Sequence, residues 1–314
     1  MRYLVTGGAG FIGAHLAGAL AASGDSVVVL DDLSTGRAAA LPPDVELVQG
    51  CVTDAALVAE TAAGTQGIYH LAAIASVARS NEEWLWTHRV NQGGTVAVLD
   101  AARRHALPVV YASSAAVYGA QEVLPITESS APAPLTAYGA DKLGSELHGR
   151  VAAAIHGVAN AGLRFFNVYG PGQRPDSPYS GVISIFADRI RRGQSVTLHG
   201  DGGQTRDFVF VGDVVQALQA AMRRCGSPQV PGHAQALVCN VCTGEPISIA
   251  DLARHVMVAA GREVAVAHDR PRAGDIAASV GDPALAEALI GFRATTGLEK
   301  GLEVLLAAVA ATNA

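Results

Sequence analysis

Short apolar runs alternate with longer segments of helical periodicity through the first half of this 314-residue chain. Short apolar runs bounded by turn residues predict strands, and the Ala- and Leu-rich segments between them predict helices. Strands and helices in alternation form βαβ units, which build a parallel sheet covered on both faces. The sequence therefore predicts an α/β protein with a doubly wound parallel sheet. The predicted strands are residues 2–6, 26–30, 46–49, 67–70, 108–113 and 162–166, and the predicted helices are residues 11–23, 55–63, 83–105 and 137–156.

A glycine motif joins the first predicted strand to the first predicted helix. Gly7 permits the tight turn, Gly10 lets the backbone approach a pyrophosphate, and Gly13 lets the helix pack closely on the sheet. The N-terminus of that helix favours the phosphates. Asp31, at the end of the next strand, is placed to bind the adenosine ribose and repel a 2′-phosphate, so NAD is favoured, although Arg37 keeps NADP open. The alternative is a glycine-rich turn beside a solvated carboxylate.

The composition excludes several classes of protein. Half of the residues are apolar and the formal net charge is −6, so the chain can bury a large core and has no basic surplus for nucleic acid or an anionic membrane. The sequence contains neither a signal peptide nor an uninterrupted apolar run of about 18 residues. We therefore expect a soluble cytoplasmic protein that acts on a small molecule.

The four cysteines are too few for a disulfide framework. Cys239 and Cys242 form a Cys-x-x-Cys motif, but no second pair of matching spacing accompanies it. Residues 236–241 have the pattern of a buried strand, on which side chains three residues apart point to opposite faces. A structural role is therefore favoured over zinc binding or redox chemistry, and no metal is predicted.

Tyr138 and Lys142 are the candidate acid–base pair. If Tyr138 opens a helix, the step of four residues places Lys142 one turn along on the same face. A phenol has a pKa of about 10, so it needs a nearby positive charge to act as a base near neutral pH. Lys142 and an oxidised nicotinamide ring would both supply that charge. The spacing alone is also typical of an ordinary helix surface.

The chain resembles the extended short-chain dehydrogenases/reductases, and within them the NAD-dependent nucleotide-sugar epimerase/dehydratase family. The resemblance covers essentially the whole chain and is greatest to UDP-glucose (UDP-hexose) 4-epimerases. It implies a Rossmann-type sheet, bound NAD and a UDP-sugar substrate. The matching stretches are GGAGFIG (7–13), HLAA (70–73), Asn91 with GGT (93–95), SSAAVYG (113–119), YGADK (138–142), RFFNVYGP (164–171) and GDGGQTRDF (200–208).

The resemblance implies a catalytic role for three side chains. Tyr138 is the base that removes the proton of the sugar C4 hydroxyl while hydride passes to the nicotinamide. Lys142 lowers the pKa of Tyr138 and hydrogen-bonds the nicotinamide ribose. Ser114, in preference to Ser113, holds the C4 oxygen and steadies the developing ketone.

The residues that follow Ser114 indicate the type of reaction. The related 4,6-dehydratases carry an Asp-Glu pair there and the related decarboxylases a carboxylate, whereas this chain has Ala115 and Ala116. The resemblance therefore implies a 4-epimerase, which oxidises C4, lets the ketosugar swing about its pyrophosphate link and returns the hydride to the opposite face. The alternatives are a UDP-glucuronate 4-epimerase or other nucleotide-sugar oxidoreductase, and a non-catalytic dinucleotide-binding protein.

The resemblance also implies two sets of binding residues. The two arginines of the second set would bind the diphosphate, and its aspartate the ribose. The expected NAD-binding residues are Gly7, Gly10, Phe11, Ile12, Gly13, Asp31, Asp32, Gly36, Cys51, Val52, Leu71, Ala72, Ala73, Asn91, Tyr138, Lys142, Phe165 and Phe166. The expected UDP-sugar-binding residues are Ser76, Ser114, Asn167, Val182, Thr197, His199, Arg206, Arg272, Asp275 and Ser279.

Ser279 bears on sugar specificity, and Cys51, Ala75 and Ala112 depart from the family pattern. Ser279 stands where some hexose epimerases have a bulky Tyr, so space for a 2-acetamido group is implied and UDP-N-acetylhexosamines are expected as further substrates. Cys51 replaces an Asp that accepts from the adenine amine, and a thiol is a poorer acceptor. Ala75 replaces a Lys of many epimerases, and Ala112 a further Ser.

Two domains are expected. Residues 1–168, with a return segment of about 208–242, would bind NAD, and residues 169–207 and 243–314 would bind the UDP-sugar. The second part has predicted helices at 182–192, 249–260 and 298–311 and a strand at 195–199. The helices at 83–105 and 137–156 resemble the pair that forms a four-helix dimer interface in this family, which implies a homodimer.

Overall fold

The computed structural model describes residues 1–173, 181–227, 234–271 and 275–311. Its strands are β1 (Arg2–Thr6), β2 (Ser26–Asp31), β3 (Glu46–Gln49), β4 (Gly67–His70), β5 (Val109–Ser114), β6 (Asn160–Phe165), β7 (Asn167–Tyr169), β8 (Val196–His199), β9 (Thr205–Phe210), β10 (Ala236–Val241), β11 (Pro246–Ser248), β12 (Val266–Asp269) and β13 (Ala278–Ser279). Its α-helices are α1 (Phe11–Ala22), α2 (Ala55–Ala62), α3 (Val77–Glu82), α4 (Trp84–His88), α5 (Gly94–His105), α6 (Ala137–His156), α7 (Val182–Arg191), α8 (Val211–Gly226), α9 (Ile249–Ala260), α10 (Ala284–Ile290) and α11 (Leu298–Ala311).

Seven strands form one parallel sheet in the order β10-β6-β5-β4-β1-β2-β3. The strand order reverses between β1 and β4, and ligands of such sheets bind in the crevice at the carboxyl ends of the strands beside this point. The predicted α/β fold with a doubly wound parallel sheet is therefore confirmed.

Helices cover both faces of the large sheet because neighbouring residues of each strand point to opposite sides. Along β1, Val5 packs with Leu16 and Leu20 of α1 and with residues of α8. Its neighbour Leu4 packs on the other face with residues of α2 and α5, among them Val98. Two apolar cores on opposite faces thus fix β1, whose end carries the glycine turn.

A smaller α/β part begins two residues beyond β6. In it β9 pairs with β7, β11 and β13, and β8 pairs with β12. Helices α7, α9 and α11 supply Ile190, Val256 and Leu305 to its core, which also contains Val196 and Leu198 of β8. The expected domain boundaries stay a prediction; β10, from the expected return segment, is an edge strand of the large sheet.

One predicted helix needs a correction. The helix expected over residues 83–105 is divided into α4, a π-helical turn Arg89–Gly93 and α5. Inside this turn the buried Asn91 accepts a hydrogen bond from the Ile74 N–H at 2.8 Å and donates to the Ile74 carbonyl at 3.2 Å. Such turns are common where a helix has to direct a side chain at a functional site. Asn91 here holds the segment after β4.

The Cys-x-x-Cys motif is buried, as the strand pattern predicts. Cys239 lies in β10 and Cys242 follows it, both thiols are free, and burial raises the pKa of both. Within the described ranges no group of three His, Cys, Asp or Glu residues is arranged to hold a metal ion, and no helix is long and apolar enough to cross a membrane.

Candidate active site

The turn between β1 and α1 can be made only by glycine. Gly7 has a φ of +69°, and a Cβ there would lie 2.5 Å from the Ala72 nitrogen. A Cβ on Gly13 would lie 2.2 Å from the Gly7 carbonyl oxygen, so α1 packs directly on the turn. The helix N-terminus and its backbone N–H groups therefore lie at the crevice, which favours an anionic ligand there. This cradle, which a Cβ would fill, fits a dinucleotide pyrophosphate.

A groove of about 820 Å³ runs along this turn, at the carboxyl ends of β1, β2, β3 and β4. We call it the cofactor groove. Nine residues predicted to bind NAD line it: Gly7, Gly10, Asp31, Asp32, Cys51, Val52, Leu71, Ala72 and Ala73. The lining also includes residues that the sequence did not single out, among them Ser34, Thr35, Ile74, Arg79, Trp86 and Val90.

The two acidic residues after β2 differ in what they hold. Asp31 is buried, and its carboxylate accepts hydrogen bonds from the N–H groups of Ala9 at 3.0 Å and Leu33 at 2.8 Å. Burial raises the pKa of Asp31, and these two hydrogen bonds oppose the rise. The exposed Asp32 caps a turn through Ser34. Because each Asp31 oxygen has a further lone pair, this carboxylate can still accept from a ribose.

Five other predicted NAD residues are not among those that line this groove. Phe11 and Ile12 open α1. A Cβ on Gly36 would lie 2.9 Å from Ala9, so this position keeps the loop after β2 close to the glycine turn. Phe165 and Phe166 are buried at the end of β6, where they belong to two different apolar clusters.

The candidate catalytic side chains converge from β5 and α6. Thr136 caps α6 by accepting from the Gly139 N–H at 3.0 Å, so Tyr138 lies in the first turn. The Lys142 Nζ lies 5.7 Å from the centroid of the Tyr138 ring and donates to the Ala112 carbonyl at 2.8 Å. Ser114 ends β5, and its hydroxyl interacts with the Tyr138 phenol. The structure thus brings Ser114, Tyr138 and Lys142 together.

The pKa of Tyr138 differs from the expectation. Burial raises the pKa of Tyr138, and the interaction with Ser114 opposes the rise. Burial also lowers the pKa of Lys142 to about 8, with the Asp141 carboxylate opposing that change. In the protein alone, the predicted lowering of the Tyr138 pKa by Lys142 is therefore not seen, because desolvation is the larger effect.

The neighbouring serine has a different environment. Ser113 is fully buried and donates to the Glu146 carboxylate at 2.5 Å. Ser114 is partly exposed, and its Oγ accepts from the Ala116 N–H at 3.1 Å. The Ser113 hydroxyl is thus engaged by Glu146, whereas the Ser114 hydroxyl interacts with Tyr138, and the preference for Ser114 as the catalytic serine stays a prediction.

A second groove, of about 1,040 Å³, lies in the smaller part between α7 and β7, β8 and β9. We call it the substrate groove. Six residues predicted to bind the UDP-sugar line it: Asn167, Val182, Thr197, His199, Arg206 and Asp275. Arg189 and Gln204 also line it and were missed. The separation of seven residues between Val182 and Arg189 is two helical turns and could have identified the arginine.

Arg206 and Asp275 form an ion pair in this groove. The Arg206 Nη1 also donates to the carbonyls of Thr205 at 2.8 Å and Ile276 at 2.7 Å. The sequence had placed the two charged residues on different parts of a nucleotide, and their contact with each other was not foreseen. Arg206 remains 16% exposed towards the groove.

Two predicted substrate residues, Ser76 and Ser279, are placed differently. Ser76 caps α3 by accepting from the Arg79 N–H at 3.0 Å. Ser279 lies on β13, where it pairs in register with Arg206. Neither is among the residues that line the two grooves. Arg272 lies outside the described residues.

Comparison with known proteins decides the family. The sequence model of the NAD dependent epimerase/dehydratase family matches residues 3–236. The chain belongs to this family. A UDP-glucose 4-epimerase of Mycolicibacterium smegmatis is 36% identical over an alignment of 310 positions that covers 96% of each chain. The predicted family is thereby confirmed.

Two solved structures of epimerases extend the comparison. A UDP-glucose 4-epimerase of Thermotoga maritima, crystallised with UDP-glucose, is 31% identical, with a TM-score of 0.93 and full coverage of both chains. A UDP-glucose 4-epimerase of Thermus thermophilus, complexed with NAD, is 34% identical, with a TM-score of 0.88 and 98% coverage of both chains. The structural similarity therefore covers both the Rossmann-type sheet and the smaller part that contains the substrate groove.

Proposed function

We propose that this protein is an NAD-dependent UDP-sugar 4-epimerase that interconverts UDP-glucose and UDP-galactose. The observation that carries the proposal is the convergence of Ser114, Tyr138 and Lys142, with no acidic side chain directly after Ser114. The similarity to UDP-glucose 4-epimerases over nearly the whole chain supports the same reaction.

Each of the three side chains has a task that follows from its position. Tyr138 takes the proton of the C4 hydroxyl and later returns it. Ser114 would hydrogen-bond the C4 oxygen, and the Lys142 ammonium together with an oxidised nicotinamide would oppose the rise that burial causes in the Tyr138 pKa. NAD held at Gly7, Gly10 and Asp31 in the cofactor groove would supply a reversible hydride acceptor for C4, so the overall reaction would have no net redox change.

The two alanines after Ser114 favour epimerisation over elimination. Ala115 and Ala116 form a short 3₁₀ turn next to the catalytic serine. Their methyl groups can neither protonate a leaving hydroxyl nor remove a second proton from the sugar, which dehydration requires. A ketosugar formed here therefore has no acid or base at these positions to carry it further.

The substrate groove supports a UDP-sugar as the ligand. Arg206 and Arg189 provide guanidinium groups for the diphosphate, and Arg272 is proposed for the same role from its motif. We propose that Asp275 exchanges its contact with Arg206 for the ribose. The small Ser279 supports tolerance of UDP-N-acetylhexosamines, and UDP-glucuronate stays the alternative substrate.

A homodimer is proposed from an exposed apolar stripe on α6. Leu147, Val151 and Ile155, which are spaced by four residues, are 51%, 50% and 72% exposed. Residues at this spacing share one helix face. Burial of this face in a four-helix bundle with a second copy would remove it from water. The cytoplasmic location expected from the sequence stays a prediction.

A panel of UDP-sugars tests the function. Purified protein should convert UDP-glucose to UDP-galactose without added oxidant, and Tyr138→Phe should reduce turnover by at least about 100-fold. Assay of UDP-N-acetylglucosamine and UDP-glucuronate in parallel identifies the preferred sugar. No turnover of any of these sugars would reject the proposal, and net release of NADH would instead indicate a dehydrogenase or decarboxylase.

A further inference from the structure

We infer that Trp86 stacks on the adenine ring of the dinucleotide and forms one wall of its pocket. The inference rests on the NAD-binding part of the proposed function. It gives Trp86 a role in cofactor binding that neither the glycine motif nor the substitution at Cys51 indicates. Trp86 lines the cofactor groove together with Asp31, Cys51 and Val52. Trp86 is 41% exposed, so part of its surface is available to a ligand.

The position of Trp86 selects the adenosine half of the groove. The groove residues Asp31 and Cys51 lie at the carboxyl ends of β2 and β3, the side of the sheet where adenosine binds in this fold. Trp86 is four residues before Val90, and both side chains line the same groove from one helical stretch. The pair therefore forms an apolar wall facing the strand ends.

Cys51 offers the adenine ring only a weak hydrogen-bond acceptor. The Cys51 sulfur accepts a hydrogen bond from the Thr53 hydroxyl at 3.1 Å. A thiol is a weak acceptor, so it gives the adenine amino group far less than a carboxylate would at that position. Stacking does not depend on that amino group, because it uses the face of the ring. We expect Trp86 to supply binding that Cys51 does not.

The chain contains two tryptophans, and the second is a natural control. Trp84 belongs to the same short helix and is 67% exposed, but it is not among the residues that line the cofactor groove. Trp86→Phe leaves only Trp84 as an indole, and Trp84→Phe leaves only Trp86. Each variant carries one Trp-to-Phe change, so a difference between them reports on the position of the tryptophan and not on the kind of substitution.

ADP-ribose is the probe, because it carries the adenosine diphosphate half of NAD without nicotinamide. With co-purified dinucleotide removed, ADP-ribose should quench indole fluorescence in wild type and Trp84→Phe, and leave Trp86→Phe unchanged. By calorimetry, Trp86→Ala should weaken ADP-ribose binding by about 5- to 150-fold, the range of base–aromatic stacking, whereas Trp84→Ala should not. Trp86→Phe, which keeps an aromatic face, should lose less than Trp86→Ala.

A second measurement uses the protein as purified. The fraction of chains that retain NAD or NADH after desalting should fall in Trp86→Ala and stay at the wild-type level in Trp84→Ala. Wild-type affinity of Trp86→Ala for ADP-ribose, or quenching that persists in Trp86→Phe and disappears in Trp84→Phe, would overturn the inference. ADP-ribose binding that depends on Trp86 without epimerase activity would reject the proposed function and leave this inference standing.

Discussion

The carboxylate of Glu146 accepts hydrogen bonds from Arg164 through both of its oxygens. The Arg164 Nε lies 2.8 Å from Oε1 and Nη2 lies 2.6 Å from Oε2, and both side chains are at most 3% exposed. Glu146 follows Tyr138 and Lys142 on one face of α6 at intervals of four residues. The ion pair therefore ties the catalytic helix to the sheet directly below the site.

Removal of one charge from this pair should be costly. Glu146→Gln leaves the Arg164 guanidinium buried without its carboxylate, and we expect a loss of about 3–5 kcal/mol in the free energy of unfolding. Glu303→Gln makes the same chemical change in the exposed pair with Lys300 and should cost less than about 1 kcal/mol. Urea denaturation of both variants measures the difference. Equal losses would show that burial does not set the strength of the first pair.

The adjacent serines of β5 should have opposite effects. Ser114→Ala should reduce epimerase turnover by about 100-fold with little change in stability, because its hydroxyl lies beside Tyr138. Ser113→Ala should instead lower the free energy of unfolding by about 1.5–3 kcal/mol, because it removes a hydrogen bond to the buried Glu146. Steady-state kinetics and denaturation of both variants check this. A greater loss of turnover in Ser113→Ala than in Ser114→Ala would show that Ser113 is the serine that acts on the substrate.

The regular elements were predictable where local signals agree. The helix Ala137–His156 begins after a Thr cap and ends before Gly157, which adopts a φ of +68°. Capping and periodicity thus coincide at both ends. By contrast, the π-turn at Arg89–Gly93 depends on the tie between Asn91 and Ile74, which are 17 residues apart in the chain. A local pattern contains no information about such a contact.

The residues of the candidate site likewise include some that local motifs indicate and others that depend on the packing of distant elements. The family resemblance indicated Ser114, Tyr138 and Lys142 because they lie in short motifs that the family shares, and their catalytic roles stay a prediction. The sequence did not indicate Trp86, because this residue lines the cofactor groove only after separate elements have packed together. The pKa of Tyr138 likewise depends on burial by the whole fold, which composition and spacing do not determine.

Arg206 should be required for binding of the nucleotide. Arg206→Gln removes one of the two arginines that line the substrate groove, and we expect UDP to bind about 10- to 100-fold more weakly, as for the loss of hydrogen bonds to a charged group. Arg254→Gln, on the exposed surface of α9, should leave UDP binding unchanged. Titration calorimetry with UDP tests both variants. Unchanged UDP affinity in Arg206→Gln would place the diphosphate elsewhere.

Lys142 should make stability depend on pH in the alkaline range. Burial lowers the pKa of Lys142 from 10.5 to about 8, so between these values the unfolded chain binds the proton and the folded protein does not. Because the unfolded state then holds more protons, the free energy of unfolding rises with pH in this window. Relative to Lys142→Met, wild type should gain up to about 3 kcal/mol from pH 8 to 10.5.

Urea unfolding of dinucleotide-free protein at several pH values measures this gain. Asp141→Asn provides a second check, because the Asp141 carboxylate opposes the lowering of the Lys142 pKa. Without that charge the pKa should fall further, and the rise in stability should begin at a lower pH than in wild type. A difference between wild type and Lys142→Met that does not change with pH would mean that the ammonium is as well solvated in the folded protein as in the unfolded chain.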